Sequence, residues 1–416
     1  MKLQLAVVLL LAVSCFAAKS RYDNYKLYSM QLKTDEQAKA VVELEDHTDA
    51  YDFWSATSLV RDTDVMVPPH KLGEFEDFLT RFNIDYHIKV ENIQELVDQQ
   101  DPELAPKNAE GQNTMDWTRF YTFDEIQAWL DGRVAASQHL TNVVIGTSHQ
   151  GRPLRCVRYS ERSGNPVIFI EANIHAREWA SSATATWVIN ELISSNDAET
   201  RAMANTIDWY VCPVANPDGF VFSHTTTRLW RKTRQSWGSC IGTDPNRNFD
   251  FFWMSGGASN NPCSDTYAGP NPFSEPETAA IRNYYGTIAS RTRMFLSFHA
   301  FGQYLLMPFG HTTANSNNHA ALLSVANAGA NAIRATAGAD YLVGSTAAVL
   351  YTASGSSPDW AFGVHNTQLA YTFEFRPIRG SSNGFLLAPA QIIPNNREVM
   401  NGIKAMVAQG RALGQI

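Results

Sequence analysis

The segment His175-Ala176-Arg177-Glu178 sets an imidazole and a carboxylate three residues apart, directly after the apolar run VIFIEANI. Imidazole nitrogen and carboxylate oxygen are both zinc ligands. At a strand-to-helix corner this spacing lets the two groups point at one centre. It equally suits a capped or salt-bridged corner. His299 ends a second apolar run, MFLSFH, and by itself reads as a core histidine. Together, two His and one Glu leave the fourth position of a tetrahedral metal open, which is the pattern of catalytic zinc. Such a site activates water and polarises a carbonyl.

Glu374 stands at the end of AYTFEF. Alternation puts it on one face with Thr372, away from Tyr371 and Phe373. An acid there is either ion-paired or a general base. Arg228, Arg231 and Arg234 lie in RLWRKTR, and Arg247 lies between Asn246 and Asn248 in DPNRNFD. Arginine grips carboxylates with a two-pronged fork. A solvated basic face accounts equally well for the first cluster and less well for Arg247.

These residues need rigid elements behind them. Val167–Ile174, Ile207–Val214, Met294–Phe298 and Ala370–Phe375 read as buried strands, and Ala180–Leu192 and Glu275–Ala289 as helices. The pattern predicts an α/β unit with a central, largely buried sheet. Sites in such sheets gather where strands end. Before it, strands at Tyr25–Leu32, Tyr51–Ala56, Asp64–Val67 and Ile84–Val90 alternate with helices at Asp35–Leu44 and His70–Phe82. That β-α-β-β-α-β order predicts a small two-layer domain. The polar stretch Gln99–Thr114 (QQDPELAPKNAEGQNT) reads as a linker. Lys107 within it suits a trypsin-like protease; a precursor layout and an ordinary interdomain linker both fit.

The chain has 416 residues, 44% hydrophobic and 18% charged, enough for a large core plus a smaller unit. A net charge of -8 argues against nucleic-acid binding, which needs a basic face. The start, MKLQLAVVLLLAVSCFAAKS, has Lys2, a short apolar run from Leu3 to Val13 and small Ala17 and Ala18. This reads as a secretory signal over residues 1–18, too short for a membrane anchor. In an oxidising compartment the four cysteines after Cys15 are expected to pair. Cys240 and Cys263 flank a Gly/Ser/Asn-rich segment suited to a staple. Cys156 and Cys212 sit in apolar runs and are either small buried hydrophobes or a second disulfide.

HAREW at 175–179, NPDGF at 216–220, RLWRKTR at 228–234, DPNRNFD at 244–250, SFH at 297–299, LYTASGSSPDW at 350–360 and YTFEF at 371–375 resemble, in order and spacing, the pancreatic-type zinc carboxypeptidases of the A/B subfamily. The resemblance covers nearly all of 108–416, and the preceding segment resembles that family's activation domain. It implies a carboxypeptidase fold, with a mixed central sheet flanked by helices, over 108–416, preceded by a ferredoxin-like α+β activation domain with its linker over 19–107.

The resemblance also implies roles. His175, Glu178 and His299 would bind one Zn2+ per chain, and Asp244 would orient His175. Glu374 would be the general base, and Arg231 would stabilise the oxyanion. Asn246, Arg247 and Tyr351 would hold the substrate's terminal carboxylate, with Arg177 and Arg228 as auxiliary peptide-binding positions. Cys240 and Cys263 would form the family's disulfide. The implied partners are peptides with a free C-terminus and an activating trypsin-like protease, and the implied state is a monomer secreted into the digestive lumen.

Gly310, Thr346, Ser356 and Pro358 match the pocket for the terminal side chain. Relatives that prefer Lys or Arg carry an acid where Pro358 stands, and those that prefer apolar residues an aliphatic one; proline departs from both. An uncharged pocket would not stabilise a buried cation, so aliphatic or aromatic C-terminal residues are expected. One extra residue between Asp359 and Glu374 falls around Val364–Gln368, away from the base. The rivals are a basic-residue-specific enzyme and a non-catalytic binding relative. The latter should lack a ligand or the base, and this chain has all of them.

Overall fold

The computed structural model describes residues 19–47, 50–100 and 114–416. The leader at 1–18 and Lys107 lie outside the described residues. The first unit follows the expected order: β1 (Lys26–Gln31), α1 (Asp35–His47), β2 (Asp52–Phe53), β3 (Thr63–Val67), α2 (Leu72–Arg81) and β4 (Asp85–Val90), then a short α3 (Ile93–Asp98). Its sheet runs β2-β3-β1-β4, antiparallel throughout. Tyr28, Met30, Val65 and Val67 from the sheet meet Val41, Phe75 and Leu79 from the helices. The strand expected at Tyr51–Ala56 shortens to two residues because the Trp54 and Ser55 N–H groups both donate to the Asp64 carbonyl, which ends the regular ladder with β3 at Trp54. The Trp54 ring packs 5.7 Å from Phe385 of the large unit.

The large unit begins with α4 (Phe123–Ala136), started by a capping box between Thr122 and Glu125. There follow β5 (Leu140–Thr147), β6 (Pro153–Tyr159), β7 (Val167–Ala172), α5 (Trp179–Ser194), α6 (Ala198–Thr206), β8 (Asp208–Cys212) and α7 (Pro217–Thr225). A small ribbon, β9 (Ser236–Trp237) and β10 (Cys240–Ile241), precedes α8 (Pro276–Ile288). The rest is β11 (Thr292–Gly302), β12 (Tyr304–Met307), α9 (His319–Ala337), β13 (Leu342–Ser345), α10 (Thr346–Val349), α11 (Ser357–His365), β14 (Leu369–Ile378) and α12 (Ile392–Ala412). The sheet is mixed, in the order β13-β12-β14-β11-β7-β8-β6-β5. Its centre, β14-β11-β7-β8, is parallel, and antiparallel pairing joins β12 on one side and β6 and β5 on the other. Every residue of β7 and β8 is buried, as a sheet covered on both faces requires. Helices α5 and α12 pack on each other and on β14.

Two strands run longer than their apolar runs suggest. His299 and Glu374, expected at strand ends, lie inside β11 and β14. Pairing between these strands continues past them, through Ala300 opposite Phe375 and Gly302 opposite Ile378.

Both cysteine pairs are bonded. Cys240 and Cys263 form the implied staple. Cys156 and Cys212 pair because β6 and β8 are antiparallel neighbours with Val157 opposite Val211, which brings their Cα atoms to 4.0 Å. No helix among the described residues is long and apolar enough to cross a membrane.

The two units share an apolar interface. Tyr22, Leu27, Trp54, Met66 and Ile93 pack with Leu229, Phe385 and Leu386. Gln100, assigned by its composition to the linker, is buried here: its side-chain amide donates to the Leu387 carbonyl at 2.7 Å.

Candidate metal and substrate site

Parallel strands point their C-terminal ends the same way, and β7, β11 and β14 are adjacent. His175 follows β7 by three residues, while His299 and Glu374 are register partners on β11 and β14. Between β7 and His175 the chain turns at Asn173, which adopts a left-handed φ of 55°, a conformation asparagine tolerates. Asn173 donates its side-chain N–H to the Glu178 carbonyl at 3.2 Å, and its backbone N–H to Ser181 Oγ at 3.0 Å. These bonds fix the corner so that His175 and Glu178 face one point.

The result is a buried cluster of three. Glu178 Oε1 lies 2.8 Å from His175 Nδ1, and Oε2 lies 3.0 Å from His299 Nδ1. The two Nδ1 atoms are 3.1 Å apart. The outer ring nitrogens decide what these inner atoms can be. Asp244 lies 3.1 Å from His175 Nε2. Burial alone would raise its carboxyl, but Arg231, His175 and Arg247 outweigh that and hold it well below the usual carboxylate range. An ionised carboxylate only accepts, so His175 carries its proton on Nε2 and turns the Nδ1 lone pair inward. On His299, Nε2 meets Ser297 Oγ at 2.9 Å. Burial alone would raise Glu178, but its close contacts with His175 and His299 hold it well below its ordinary value. With Nε2 of each ring engaged on its outer side, two imidazole Nδ1 atoms and one carboxylate face one another in a buried space, an arrangement that suits Zn2+ with one position left open.

Around this cluster lies a cleft of 810 Å³, lined by His175, Glu178, Arg231, Arg247, Tyr351 and Glu374 among others. Burial pushes the Glu374 carboxyl up to about 8. Arg231 donates from Nη2 to Asp244 Oδ2 at 2.8 Å, and its Nη1 is 4.0 Å from Glu178 Oε1. Arg247 sits on a tight turn, Pro245–Arg247, that Asp244 caps by accepting the Asn246 N–H at 2.8 Å. Its Nε donates to the Gly257 carbonyl at 2.7 Å, and its guanidinium lies 5.7 Å from the Tyr351 ring centre. Asn246 is buried behind it, accepting the Ser357 N–H on Oδ1 at 3.0 Å. Arg234 does not join the site; it stacks on Phe222 and Trp230.

Arg177 and Arg228 reach the small unit. Arg177 Nη1 donates to Asp52 Oδ1 at 2.7 Å. Arg228 donates from Nε and Nη2 to Gln100 Oε1 at 2.9 and 2.7 Å and lies over Trp179. Arg61 donates to the Val349 and Leu350 carbonyls, just before Tyr351. These three partners were missed in the sequence, because nothing in a small domain's own pattern records which of its polar residues face another unit.

Of the four positions expected to form the side-chain pocket, Thr346 opens α10, Ser356 and Pro358 stand at the start of α11, and Gly310 lies beside Thr346. Gly310 donates its N–H to Asp359 Oδ2 at 2.8 Å. A Cβ on Gly310 would come within 2.6 Å of the Ala353 carbonyl and 3.5 Å of Thr346 Cγ2. Ser356 precedes α11, and Pro358 sits in its first turn. Asn366, with φ 56°, closes α11, and Glu374 stands in register with His299.

Residues 126–402 match the zinc carboxypeptidase family, and residues 28–100 match the carboxypeptidase activation peptide. Zinc carboxypeptidase A 1 of Anopheles gambiae is 39% identical over 413 residues, covering 98% of this chain and 94% of that relative. Zinc carboxypeptidase A 1 of Drosophila melanogaster is 37% identical over 419 residues, covering 99% and 97%. The crystal structure of carboxypeptidase A from Helicoverpa armigera superposes with a TM-score of 0.87 at 30% identity, covering 95% of this chain and 99% of that one. Sequence and fold agree: the chain belongs to the zinc carboxypeptidase family and is a metallocarboxypeptidase with its propeptide.

Proposed function

We propose that the activated protein removes single residues from the C-terminal end of peptides, preferring aliphatic and aromatic ones, with zinc held by His175, Glu178 and His299. The observation that carries this is one cleft lined by metal ligands, an acid and two arginines: His175, Glu178, Glu374, Arg231 and Arg247. An exopeptidase needs a fixed cation for the terminal carboxylate, at a set distance from the reacting centre. Arg247, tethered by Gly257 and backed by Asn246 and Tyr351, supplies it.

Zinc, when bound, polarises the scissile carbonyl and makes water a better nucleophile. Glu374 takes the proton from the attacking water and passes it to the departing amine. Burial in the precursor raises this carboxyl, the direction that suits a group that both accepts and returns a proton. Arg231, anchored on Asp244, faces the charge that develops on the carbonyl oxygen. Asp244 orients His175 through the Nε2–H bond. Arg177 and Arg228 serve the residues upstream once the propeptide leaves.

Specificity follows from the pocket. Pro358 brings no charge, and the adjacent Asp359 is buried with its Oδ2 engaged by the Gly310 N–H. No free carboxylate at these positions would meet a terminal Lys or Arg. The precursor is secreted, as the leader pattern and two disulfides indicate, and acts as a monomer in a digestive setting after a trypsin-like cut near Lys107.

A C-terminal residue scan on the trypsin-treated protein tests this. Peptides ending in Phe or Leu should be cut faster than those ending in Lys, and C-terminal amides should resist. Preference for Lys would overturn the pocket assignment, and rapid cleavage of amides would overturn the role of Arg247.

A further inference from the structure

Glu171 is the one carboxyl in a buried, otherwise apolar strand, next to its C-terminal end. It lies on β7, is 0% exposed, and registers with Ser297 on β11. Its Oε1 accepts from two serines: Ser297 Oγ at 3.3 Å and Ser357 Oγ at 3.1 Å. Oε2 has no hydrogen-bond partner among the described residues. An aliphatic side chain would fill this position with a smaller desolvation cost. What it could not do is accept both hydroxyls.

Each serine leads somewhere specific. Ser297 spends its one hydroxyl proton on Glu171, so it accepts from His299 Nε2–H at 2.9 Å. That bond leaves the Nδ1 lone pair of His299 for the metal. Ser357 donates its backbone N–H to Asn246 Oδ1 at 3.0 Å. Asn246 in turn donates its own N–H to Asp244 Oδ1 at 2.8 Å, and Asp244 receives His175 Nε2–H. The bonds form a closed circuit: His299, Ser297, Glu171, Ser357, Asn246, Asp244, His175. The two histidines close it across the metal centre.

We propose that Glu171 is a positioning residue that ties the metal ligand His299 to the carboxylate anchor Asn246 through Ser297 and Ser357, fixing metal and terminal carboxylate at one working distance. This rests on the site assignment proposed above. Asp244 performs the same double service for His175 and Asn246 by direct contact; Glu171 does so through two hydroxyls. The circuit therefore has a metal arm, Ser297, and a substrate arm, Ser357, that can be cut separately.

The test uses the full-length chain, with zinc affinity read by competition with a chelating dye and kinetics read after tryptic activation. Glu171→Ala should weaken zinc about 10- to 100-fold, the usual effect of losing a partner of a metal-bound histidine. It should also raise KM for peptides with a free C-terminus by about tenfold. Glu171→Gln keeps an acceptor at Oε1 and should recover most of both. Should Glu171→Ala fold poorly, the smaller variants decide: Ser297→Ala should lower zinc affinity with KM nearly unchanged, and Ser357→Ala should raise KM with zinc affinity nearly unchanged. A variant set that changes only thermal stability, leaving zinc affinity and KM within about twofold, overturns the proposal. His299→Ala separates the two levels. If it keeps its zinc, the site assignment fails and this proposal with it; if it loses zinc while Glu171→Ala and Ser297→Ala do not, only the Glu171 proposal fails.

Discussion

Asp52 of the propeptide accepts a 2.7 Å hydrogen bond from Nη1 of Arg177, two residues along the chain from the metal-site His175. The Arg177 side chain is only 3% exposed and that of Asp52 18%, so the pair is screened little by solvent. With Gln100 on Arg228, it places propeptide side chains on two arginines assigned to peptide binding. The propeptide thus occupies one cation of the cleft, Arg177, and a second, Arg228, outside its lining, while its own residues Tyr51, Asp52 and Trp54 help line the cleft.

Removing these contacts should make the precursor leak. Truncating one partner of a buried charged pair costs about 2–5 kcal/mol. Asp52→Ala with Gln100→Ala should raise the activity of the uncut precursor at least about tenfold. The measurement is hydrolysis of a short peptide before any trypsin is added. A double variant as silent as the parent would show that the apolar contacts of Trp54 and Phe385 suffice.

Glu374→Gln should keep its zinc and lose turnover. The three ligand residues are unchanged, whereas the proton acceptor is gone, and general acid–base groups contribute about 10²- to 10⁴-fold. Metal content and kcat, measured on the same preparation, check both halves. Turnover close to the parent's would remove Glu374 from the mechanism.

Pro358→Asp should shift the preferred terminal residue from Phe or Leu toward Lys or Arg. Aspartate is well tolerated in the first turn of α11, where the helix N-terminus favours a negative charge. The expected change in the Lys-to-Phe ratio of kcat/KM is tenfold or more, on the order of one buried ion pair. An unchanged ratio would mean that this position does not face the terminal side chain.

Glu277 predicts a pH dependence of stability remote from the metal. It lies in the first turn of α8, is 1% exposed, and accepts the His149 N–H on Oε1 at 3.1 Å, while Oε2 has no partner among the described residues. Burial pushes it up to about 7, with Glu275 and Asp218 adding repulsion against the backbone N–H bonds that lower it. The folded state thus holds this proton more tightly than the unfolded chain. Its contribution is fully present below the ordinary glutamate value and is lost as pH rises through 7. Glu277→Gln should flatten that loss, gaining on the order of 1–3 kcal/mol relative to the parent at pH 8. Thermal midpoints measured from pH 4 to pH 8 give the comparison; parallel curves for the two proteins would refute it.

Much of the site was legible because its parts sit on short motifs with local reasons. His175 and Glu178 are three residues apart on one corner, and Arg247 sits in a turn that Asp244 caps from three residues away. Strand alternation put Glu374 on a face with Thr372 and away from Tyr371 and Phe373, and it lies there. The length of β11 and β14 was less legible. Their pairing continues past the polar His299 and Glu374 to Ala300–Phe375 and Gly302–Ile378, because backbone hydrogen bonds are not interrupted by a polar side chain.

By itself the sequence determined the order of elements, the ligand types and the family, since these depend on neighbours a few residues apart. Tertiary structure alone decided the meetings between distant residues. Cys156 and Cys212 pair only because β6 and β8 lie side by side. Asp52, Arg61 and Gln100 acquire partners only when the propeptide docks. Glu171, a lone acid in VIFIEANI, finds Ser297 and Ser357 126 and 186 residues away. Such contacts arise from how sheets and domains pack, and no local spacing along the chain encodes them.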